Sequence, residues 1–132
     1  MIYDLGGFCD REGTMNSKEL CDRTMQFALR VLRLADALPK TVSGRTISAQ
    51  IARAGTSVAA NYRAALRGKS RADYVNKITI VLEEADEADF WLELIEQSEL
   101  LRAQRIRPLR KEASELVRIF NATRTTARNR KS

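Results

Sequence analysis

The apolar residues of this chain recur at alternating steps of three and four in four long segments. This spacing lines one face of an α-helix, so each segment predicts an amphipathic helix. The first stripe consists of Leu20, Thr24, Phe27, Val31, Leu34 and Leu38, and the second of Ile47, Ile51, Ala54, Val58, Tyr62 and Ala65. The third consists of Tyr74, Ile78, Val81, Ala85, Ala88, Leu92 and Ile95, and the fourth of Ile106, Leu109, Ala113, Leu116 and Phe120.

Capping residues mark the expected starts of the helices. Asn16 or Ser17 precedes the first stripe, where a polar side chain can accept a hydrogen bond from the first turn. Ser70 and Asp73 form a capping pair before the third stripe. The second helix is expected to begin near Ser43.

Glycine and proline indicate where the helices end. Pro39 closes the first helix, because proline cannot continue the helical hydrogen bonds. Gly68 follows the second stripe and could adopt a left-handed cap. Pro108 lies in the fourth segment and is tolerable only in the first turn of a helix, where no backbone N–H is needed. The fourth helix is therefore expected to have Pro108 in its first turn.

Short connectors separate the four segments, at residues 39–43, 68–70 and 101–105. Such connectors favour antiparallel neighbours, and the four stripes can then face one core. We predict an all-α fold, an antiparallel up-down-up-down four-helix bundle over residues 16–122. Segment 1–15 is expected to be an N-terminal tail that could be disordered, and segment 123–132 a basic C-terminal tail.

Several function classes find no support in the sequence. No apolar run approaches the ~20 residues that span a bilayer, and the N-terminus lacks a signal-peptide pattern, so we expect a cytoplasmic protein without a membrane partner. Histidine is absent, and the two cysteines, Cys9 and Cys21, lack metal-ligand spacing. Without a histidine base or a phosphate-binding loop, no catalytic residue, cofactor or metal site can be assigned. The chain is therefore predicted not to be an enzyme.

Charge is segregated along the chain. The net charge is +6, but residues 40–71 carry seven basic side chains and no acidic one. Residues 72–101 carry nine acidic side chains and one basic, and residues 102–132 carry ten basic and two acidic. The second and fourth helices are therefore basic, and the third is acidic.

The basic residues gather on the sides of the second and fourth helices that face away from their apolar stripes. A row of guanidinium groups can neutralise phosphates and release counterions, so nucleic acid is the leading candidate partner. Binding of single strands by base stacking would require aromatic residues beside the basic row, and few are present there. The predicted nucleic-acid-binding residues are Arg45, Arg53, Arg63, Arg67, Lys69, Arg71, Arg107, Lys111, Arg118 and Arg124. Two other uses stay open: the charges could serve subunit assembly, or they could simply be solvated.

Apolar residues also lie opposite the core stripes of the first and third helices, where a monomeric bundle would be polar. Clusters of this kind indicate an interface between subunits. Acidic side chains beside them could dock on a basic helix of a neighbouring subunit and set the register. The predicted subunit-interface residues are Met25, Leu29, Leu32, Glu83, Glu87, Phe90 and Leu94.

Two stretches carry a resemblance to a known family. The runs QIARAGTSVAANYRAA in the second helix and LEEADEADFWLEL in the third resemble the bacterial four helix bundle protein family, over about residues 18–122. That family includes proteins encoded by intervening sequences in large-subunit ribosomal RNA genes. The residues that match its pattern are Arg53, Gly55, Ser57, Ala60, Asn61, Glu83, Glu84, Glu87 and Trp91. These positions look structural, and there is no catalytic set to carry over.

The resemblance implies an antiparallel four-helix protomer that assembles into a barrel-like homopentamer without known catalytic activity. A related branch contains accessory proteins of diversity-generating retroelements, which look like basic pentamers that bind nucleic acid and a reverse transcriptase. Residues and resemblance together predict a non-catalytic homo-oligomeric binding or assembly module, with RNA or DNA as the leading partner. The alternative is a scaffold for another protein, in which charge segregation serves only subunit assembly.

Overall fold

The computed structural model describes residues 15–130, which form four α-helices and contain no strand. The helices are α1, Ser17–Ala37; α2, Val42–Ala65; α3, Arg71–Gln97; and α4, Ala103–Asn129. They pack against each other, so the predicted all-α four-helix fold is confirmed. Residues 1–14 of the predicted N-terminal tail lie outside the described residues.

Side-chain caps fix the starts of three helices. The side chain of Asn16 accepts a hydrogen bond at 2.8 Å from the backbone N–H three residues on, and Ser70 Oγ accepts one from Asp73 N at 3.1 Å. Both predicted caps are confirmed. Helix α2 begins at Val42, next to the predicted Ser43, and the hydroxyl of Thr41 caps it with a 3.1 Å bond.

Helix α2 ends without the left-handed glycine expected from the sequence. Bonds from Arg67 N to Ala64 O and from Gly68 N to Ala65 O tighten the end into a 3₁₀ turn. The backbone of Gly68 lies outside the left-handed region. A Cβ at this position would lie 3.0 Å from Ala65 O and 3.1 Å from a carboxylate oxygen of Asp73, so a larger residue would be tightly packed there.

The left-handed residue lies instead after α3, where Glu99 has φ 59°. Leu100 N donates to Ile95 O and Glu99 N donates to Glu96 O, which is the Schellman arrangement of a helix C-terminus. Glycine is the usual residue at that position, because a Cβ disfavours the left-handed conformation. The connector to α4 therefore contains one residue in an unfavourable backbone conformation.

Helix α4 differs from the sequence expectation at both ends. It begins at Ala103, so Pro108 lies in the second turn and the first-turn prediction is wrong. Proline cannot donate a backbone hydrogen bond at this position, so the second turn of α4 lacks one helical bond. At the other end the predicted basic tail is helical over residues 123–129, because Thr123 and Ala127 continue the buried stripe.

The four predicted stripes form one hydrophobic core, and every residue named in them is buried. At its centre the Tyr62 ring of α2 lies against the Phe120 ring of α4, with centroids 5.1 Å apart. Gly55 lets α1 approach closely, since a Cβ there would lie 2.6 Å from Val31 Cγ1. Each large side chain buried in this way contributes about 1.5–3 kcal/mol to stability.

Helices that are adjacent in the sequence are also neighbours in the bundle. Extensive packing joins α1 to α2, α2 to α3 and α3 to α4, whereas the seam between α1 and α4 is the least extensive of the four. Since α1 and α3 each pack on both α2 and α4, they lie diagonally. Their outward sides therefore point in opposite directions.

Candidate nucleic-acid interface

Three helix termini meet at one end of the bundle: the end of α2, the start of α3 and the end of α4. A shallow cleft of ≈ 480 Å³ opens there, lined by Ser70, Arg71, Ala72, Val75, Asn76 and Arg128. Arg124 Nη1 lies 3.4 Å from Thr79 Oγ1, which holds the last turns of α4 beside α3. The connector between α2 and α3 adds two more basic residues. We call Arg67, Lys69, Arg71, Arg124 and Arg128 the basic end.

Much of the basic end lacks carboxylate partners. Arg67, Lys69 and Arg128 are exposed, and none of them forms an ion pair within residues 15–130. Asp73 lies at the same junction, but its carboxylate is used as a cap and accepts a hydrogen bond from the backbone of Lys69 at 3.1 Å. These three side chains therefore remain available to an external anion.

The ten predicted nucleic-acid-binding residues do not form a single surface. Arg45 lies near the start of α2, roughly 30 Å along the helix from the basic end at 1.5 Å per residue. Arg107 and Lys111 lie near the start of α4, and Arg107 Nε pairs with Glu96 at 3.1 Å. Arg118 is exposed midway along α4. The structure therefore groups the members that lie in the basic end, and it separately brings Arg107 and Lys111 together in a cleft that also contains Asp89 and Glu96.

Arg63 lies on the side of α2 that faces α1. Burial raises the pKa of the Cys21 thiol on α1, and the positive charge of Arg63 opposes that shift, so the two side chains are close. Arg63 is exposed and forms no ion pair within the part of the chain that the structure describes. It therefore borders the outward side of α1.

Arg53, a predicted phosphate contact, lies in an ion-pair network between α2 and α3. Its Nη1 donates to Glu84 Oε2 at 2.8 Å, and its Nη2 donates to the carboxylate of Glu87. Trp91 Nε1 donates to the same carboxylate at 3.1 Å. The hydrogen bond from Trp91 and the pairing with Arg53 lower the pKa of Glu87. We call these four side chains the Arg53 network, and both terminal nitrogens of the arginine are engaged within it.

Two arginines that sequence reasoning missed cross two of the other seams, α1–α4 and α3–α4. Arg23 of α1 reaches both carboxylate oxygens of Glu112 in α4 at 2.7 Å, and it also reaches Glu115 at 3.0 Å. Arg110 of α4 donates to Asp89 of α3 at 3.0 Å. The opposite charges of the third and fourth helices are a sequence pattern that indicates the second of these contacts. No comparable pattern indicates the first.

The predicted subunit-interface residues lie on the outward sides of α1 and α3. The exposed members are Met25, Leu29, Leu32, Glu83, Phe90 and Leu94, whereas Glu87 is half-buried in the Arg53 network. Phe90 has the largest accessible fraction of the aliphatic and aromatic members, at 53%. These apolar side chains are accessible in the protomer, and their burial by another subunit stays a prediction.

Residues 15–130 contain no group of three or more histidine, cysteine, aspartate or glutamate side chains that could hold a metal ion. Within this part of the chain, Cys21 is a half-buried free thiol. None of the described helices combines the length and apolar character needed to cross a membrane.

Comparison with known proteins assigns the bundle to a family. A family model described as 23S rRNA-intervening sequence protein matches residues 16–122. The chain belongs to this family. Membership in the 23S rRNA-intervening sequence protein family confirms the resemblance carried by the second and third helices, and the family description names no enzymatic activity.

A solved structure is similar to this member of the 23S rRNA-intervening sequence protein family. It is a crystal structure of a protein of unknown function from the S23 ribosomal protein family of Bacteroides thetaiotaomicron, with 33% sequence identity and a TM-score of 0.77. The similarity covers 81% of this chain and 99% of that chain. No curated protein gives a significant match.

The 23S rRNA-intervening sequence protein match ends before the last turns of α4. The whole Arg53 network lies inside the matched residues, whereas Arg124 and Arg128 lie beyond residue 122. The seam between α2 and α3 is therefore part of the family match, and the basic end is only partly so.

Proposed function

We propose that this member of the 23S rRNA-intervening sequence protein family is a non-catalytic, self-assembling module that binds nucleic acid electrostatically through the basic end. The observation that carries the proposal is that Arg67, Lys69 and Arg128 lie at one end of the bundle and form no ion pair within residues 15–130. Unpaired basic groups gain affinity for a phosphate backbone by releasing its condensed counterions. Arginines that are already paired within the chain gain less.

The proposed ligand is the phosphate backbone, and not the bases. Binding by base stacking needs aromatic side chains beside the basic groups. Among the described aromatic residues, Phe90 is the strongly exposed one, and it lies roughly 28 Å along α3 from Arg71. RNA and DNA are therefore both proposed partners, with little base preference.

The proposed protomer is an antiparallel up-down-up-down bundle. Ion pairs support this arrangement across the connector between α3 and α4: Glu96 pairs with Arg107, and the earlier Asp89 pairs with the later Arg110. The proposed assembly is a homo-oligomer, and a pentamer by resemblance to the bacterial four helix bundle family. The exposed apolar residues of α1 and α3 support self-association.

A protein partner, such as a reverse transcriptase, and a cytoplasmic location belong to the same proposal. The resemblance to accessory proteins supports the partner, and the segregated charge supports a nucleic-acid complex. The rival function is a scaffold for another protein. Salt separates the two functions, because phosphate contacts weaken steeply with ionic strength and an apolar protein interface does not.

Binding to labelled RNA and DNA duplexes across a salt series tests the proposal. Each phosphate contact that is lost should reduce the slope of log K against log salt by about 0.9 for duplex DNA. We expect Arg67→Glu combined with Arg128→Glu to weaken binding and to flatten this slope by about two such contacts.

The matched control reverses two arginines at the opposite end of the bundle, Arg45→Glu and Arg102→Glu, so the net charge changes equally. A smaller loss of affinity in the control assigns binding to the basic end. Equal losses would show a non-specific effect of net charge and would remove the basic end as the site. Absence of binding by the wild-type protein at low salt would favour the scaffold function.

A further inference from the structure

The exposed side of α4 carries basic and hydrogen-bonding side chains at alternating steps of four and three, along most of its length. The basic members are Arg107, Lys111, Arg118 and Arg128, and the short polar members between them are Ser114, Asn121 and Thr125. We call these residues the α4 row. At 1.5 Å per residue the row extends roughly 32 Å, and it reaches the basic end at Arg128.

The carboxylates on either side of the α4 row are already paired within the bundle. Glu112 and Glu115, the acidic residues of α4, both bind Arg23 of α1. On the other side, the cleft between α3 and α4 contains Asp89 and Glu96, which pair with arginines of α4. No acidic residue interrupts the row itself. The positive charge of the row therefore faces solvent without nearby carboxylates that lack partners.

Most basic members of the row have no partner inside the protein. Lys111, Arg118 and Arg128 form no ion pair among the described residues. Arg107 pairs with Glu96, but its side chain is 73% exposed. Three unpaired cations on one side of a helix are suited to a ligand that carries several negative charges.

The hydroxyl groups of the row are equally available. Thr123, on the buried side of α4, donates a hydrogen bond from its hydroxyl back to Ile119 O at 2.9 Å. The exposed hydroxyls of Ser114 and Thr125 form no hydrogen bond within the part of the chain that the structure describes. Cations and free hydroxyls therefore alternate along the row.

The neighbours of α4 limit which groove of a duplex the row can reach. Helix α4 packs against α3 on one side and α1 on the other. Packed helices lie roughly 8–10 Å apart, so this side of the bundle is broader than the major groove of B-form DNA, which is about 12 Å wide and about 8.5 Å deep. On DNA the row is therefore limited to phosphates. A-form RNA instead has a wide, shallow minor groove that displays 2′-hydroxyls between its phosphates.

We propose that the α4 row binds double-stranded RNA across its minor groove. Lys111, Arg118 and Arg128 contact phosphates, and Ser114 and Thr125 exchange hydrogen bonds with the 2′-hydroxyls between them. This inference rests on the proposed nucleic-acid binding and names the kind of nucleic acid. The apolar residues that support self-association lie on α1 and α3, so the row stays open in the proposed assembly.

Affinities for RNA and DNA duplexes of the same sequence test the minor-groove contact. Duplexes of about 20 base pairs are longer than the row. The wild type should bind the RNA duplex about tenfold more tightly, because DNA lacks the 2′-hydroxyls that the row would bond. Ser114→Ala combined with Thr125→Ala should remove this preference and leave the affinity for DNA unchanged. The matched control, Ser43→Ala with Thr46→Ala, removes two exposed hydroxyls from α2 and should keep the preference.

Charge reversal in the middle of the row gives a second readout. Lys111→Glu combined with Arg118→Glu should weaken binding to both duplexes and flatten the salt dependence by about two phosphate contacts. Arg33→Glu with Arg45→Glu changes the net charge equally at exposed positions outside the row, and it should cause a smaller loss. Circular dichroism checks that each variant keeps the helical content of the wild type.

The possible outcomes separate this inference from the proposed function. Equal affinities of the wild type for RNA and DNA, or an RNA preference that survives the two alanine substitutions in the row, would overturn the minor-groove contact and leave nucleic-acid binding intact. Equal losses in the two charge-reversed variants would remove the α4 row as a contact surface. A wild-type protein that binds neither duplex at low salt would instead remove the proposed nucleic-acid binding itself.

Discussion

The arginines at the helix seams and those at the basic end have identical side chains and opposite surroundings. Arg23 and Arg53 reach carboxylates of a neighbouring helix, whereas Arg67 and Arg128 are exposed without a described ion pair. A guanidinium held between two helices fixes how they pack, and one at a solvated end can meet a phosphate. The neighbouring helix, and not the arginine itself, therefore decides between a structural and a binding role.

The largest stability effect in this comparison is expected at Arg23. Replacing it with alanine leaves Glu112, whose side chain is 15% exposed, without its two charged hydrogen bonds. We expect Arg23→Ala to lower the free energy of unfolding by about 1.5–3 kcal/mol. Urea unfolding at one fixed protein concentration measures this loss. Arg33→Ala on the same helix is the control. An equal loss of unfolding free energy there would show that Arg23 stabilises the fold no more than an exposed arginine does.

Replacing Arg53 is expected to lower the free energy of unfolding by less than replacing Arg23. The side chain of Arg53 is 47% exposed, so solvent screens its ion pairs. Trp91 is the chain's single tryptophan, so its fluorescence reports directly on the network that contains Arg53. Arg53→Ala should shift the emission spectrum, whereas Arg63→Ala on the same helix should leave it unchanged. Identical spectra for both variants would show that Arg53 does not organise the network.

The Arg53 network should also depend on pH. The folded protein lowers the pKa of Glu87, so the ionised carboxylate stabilises the fold at neutral pH. This contribution is present above the unfolded pKa, about 4.3, and is lost as pH falls through the lower folded value. Wild type and Glu87→Gln should therefore differ in unfolding free energy at pH 7, and the difference should shrink as the pH falls below the unfolded value of about 4.3. A difference that does not vary with pH would contradict the ion pair.

The smallest stability effect is expected at the basic end. Arg67→Ala removes no described ion pair, so its unfolding free energy should stay within about 0.5 kcal/mol of the wild type. Thermal unfolding checks this expectation. A loss as large as that of Arg23→Ala would mean that Arg67 supports the fold, and it would then be a poor choice for testing nucleic-acid binding.

Most of the fold could be predicted from the spacing of apolar residues, because a helix needs only local sequence to define its buried side. The same applies to Asn16 and Ser70, whose side chains cap the helix that follows them. The end of α4 was predicted too early. Thr123 and Ala127 continue the stripe, but a threonine and an alanine among basic residues give a weak apolar pattern.

The candidate site could be predicted only in part, for a different physical reason. A helical wheel shows that Arg53 and Arg67 both lie off the core stripe of the second helix. It does not show that the third helix brings Glu84 and Glu87 beside the first of them. Glu112 lies 89 residues from Arg23, and local sequence carries no information about such a contact.

The limited packing between α1 and α4 affects the order in which the helices of the bundle are expected to assemble. The other three packed seams join successive helices, so the chain can form them through short-range encounters. Joining α1 to α4 instead requires closing a loop that spans almost the whole bundle. We expect this closure to come late in folding. Arg23→Ala should then accelerate unfolding in stopped-flow experiments while leaving the refolding rate nearly unchanged. The first and last helices, α1 and α4, would then pack together last in folding and separate first in unfolding.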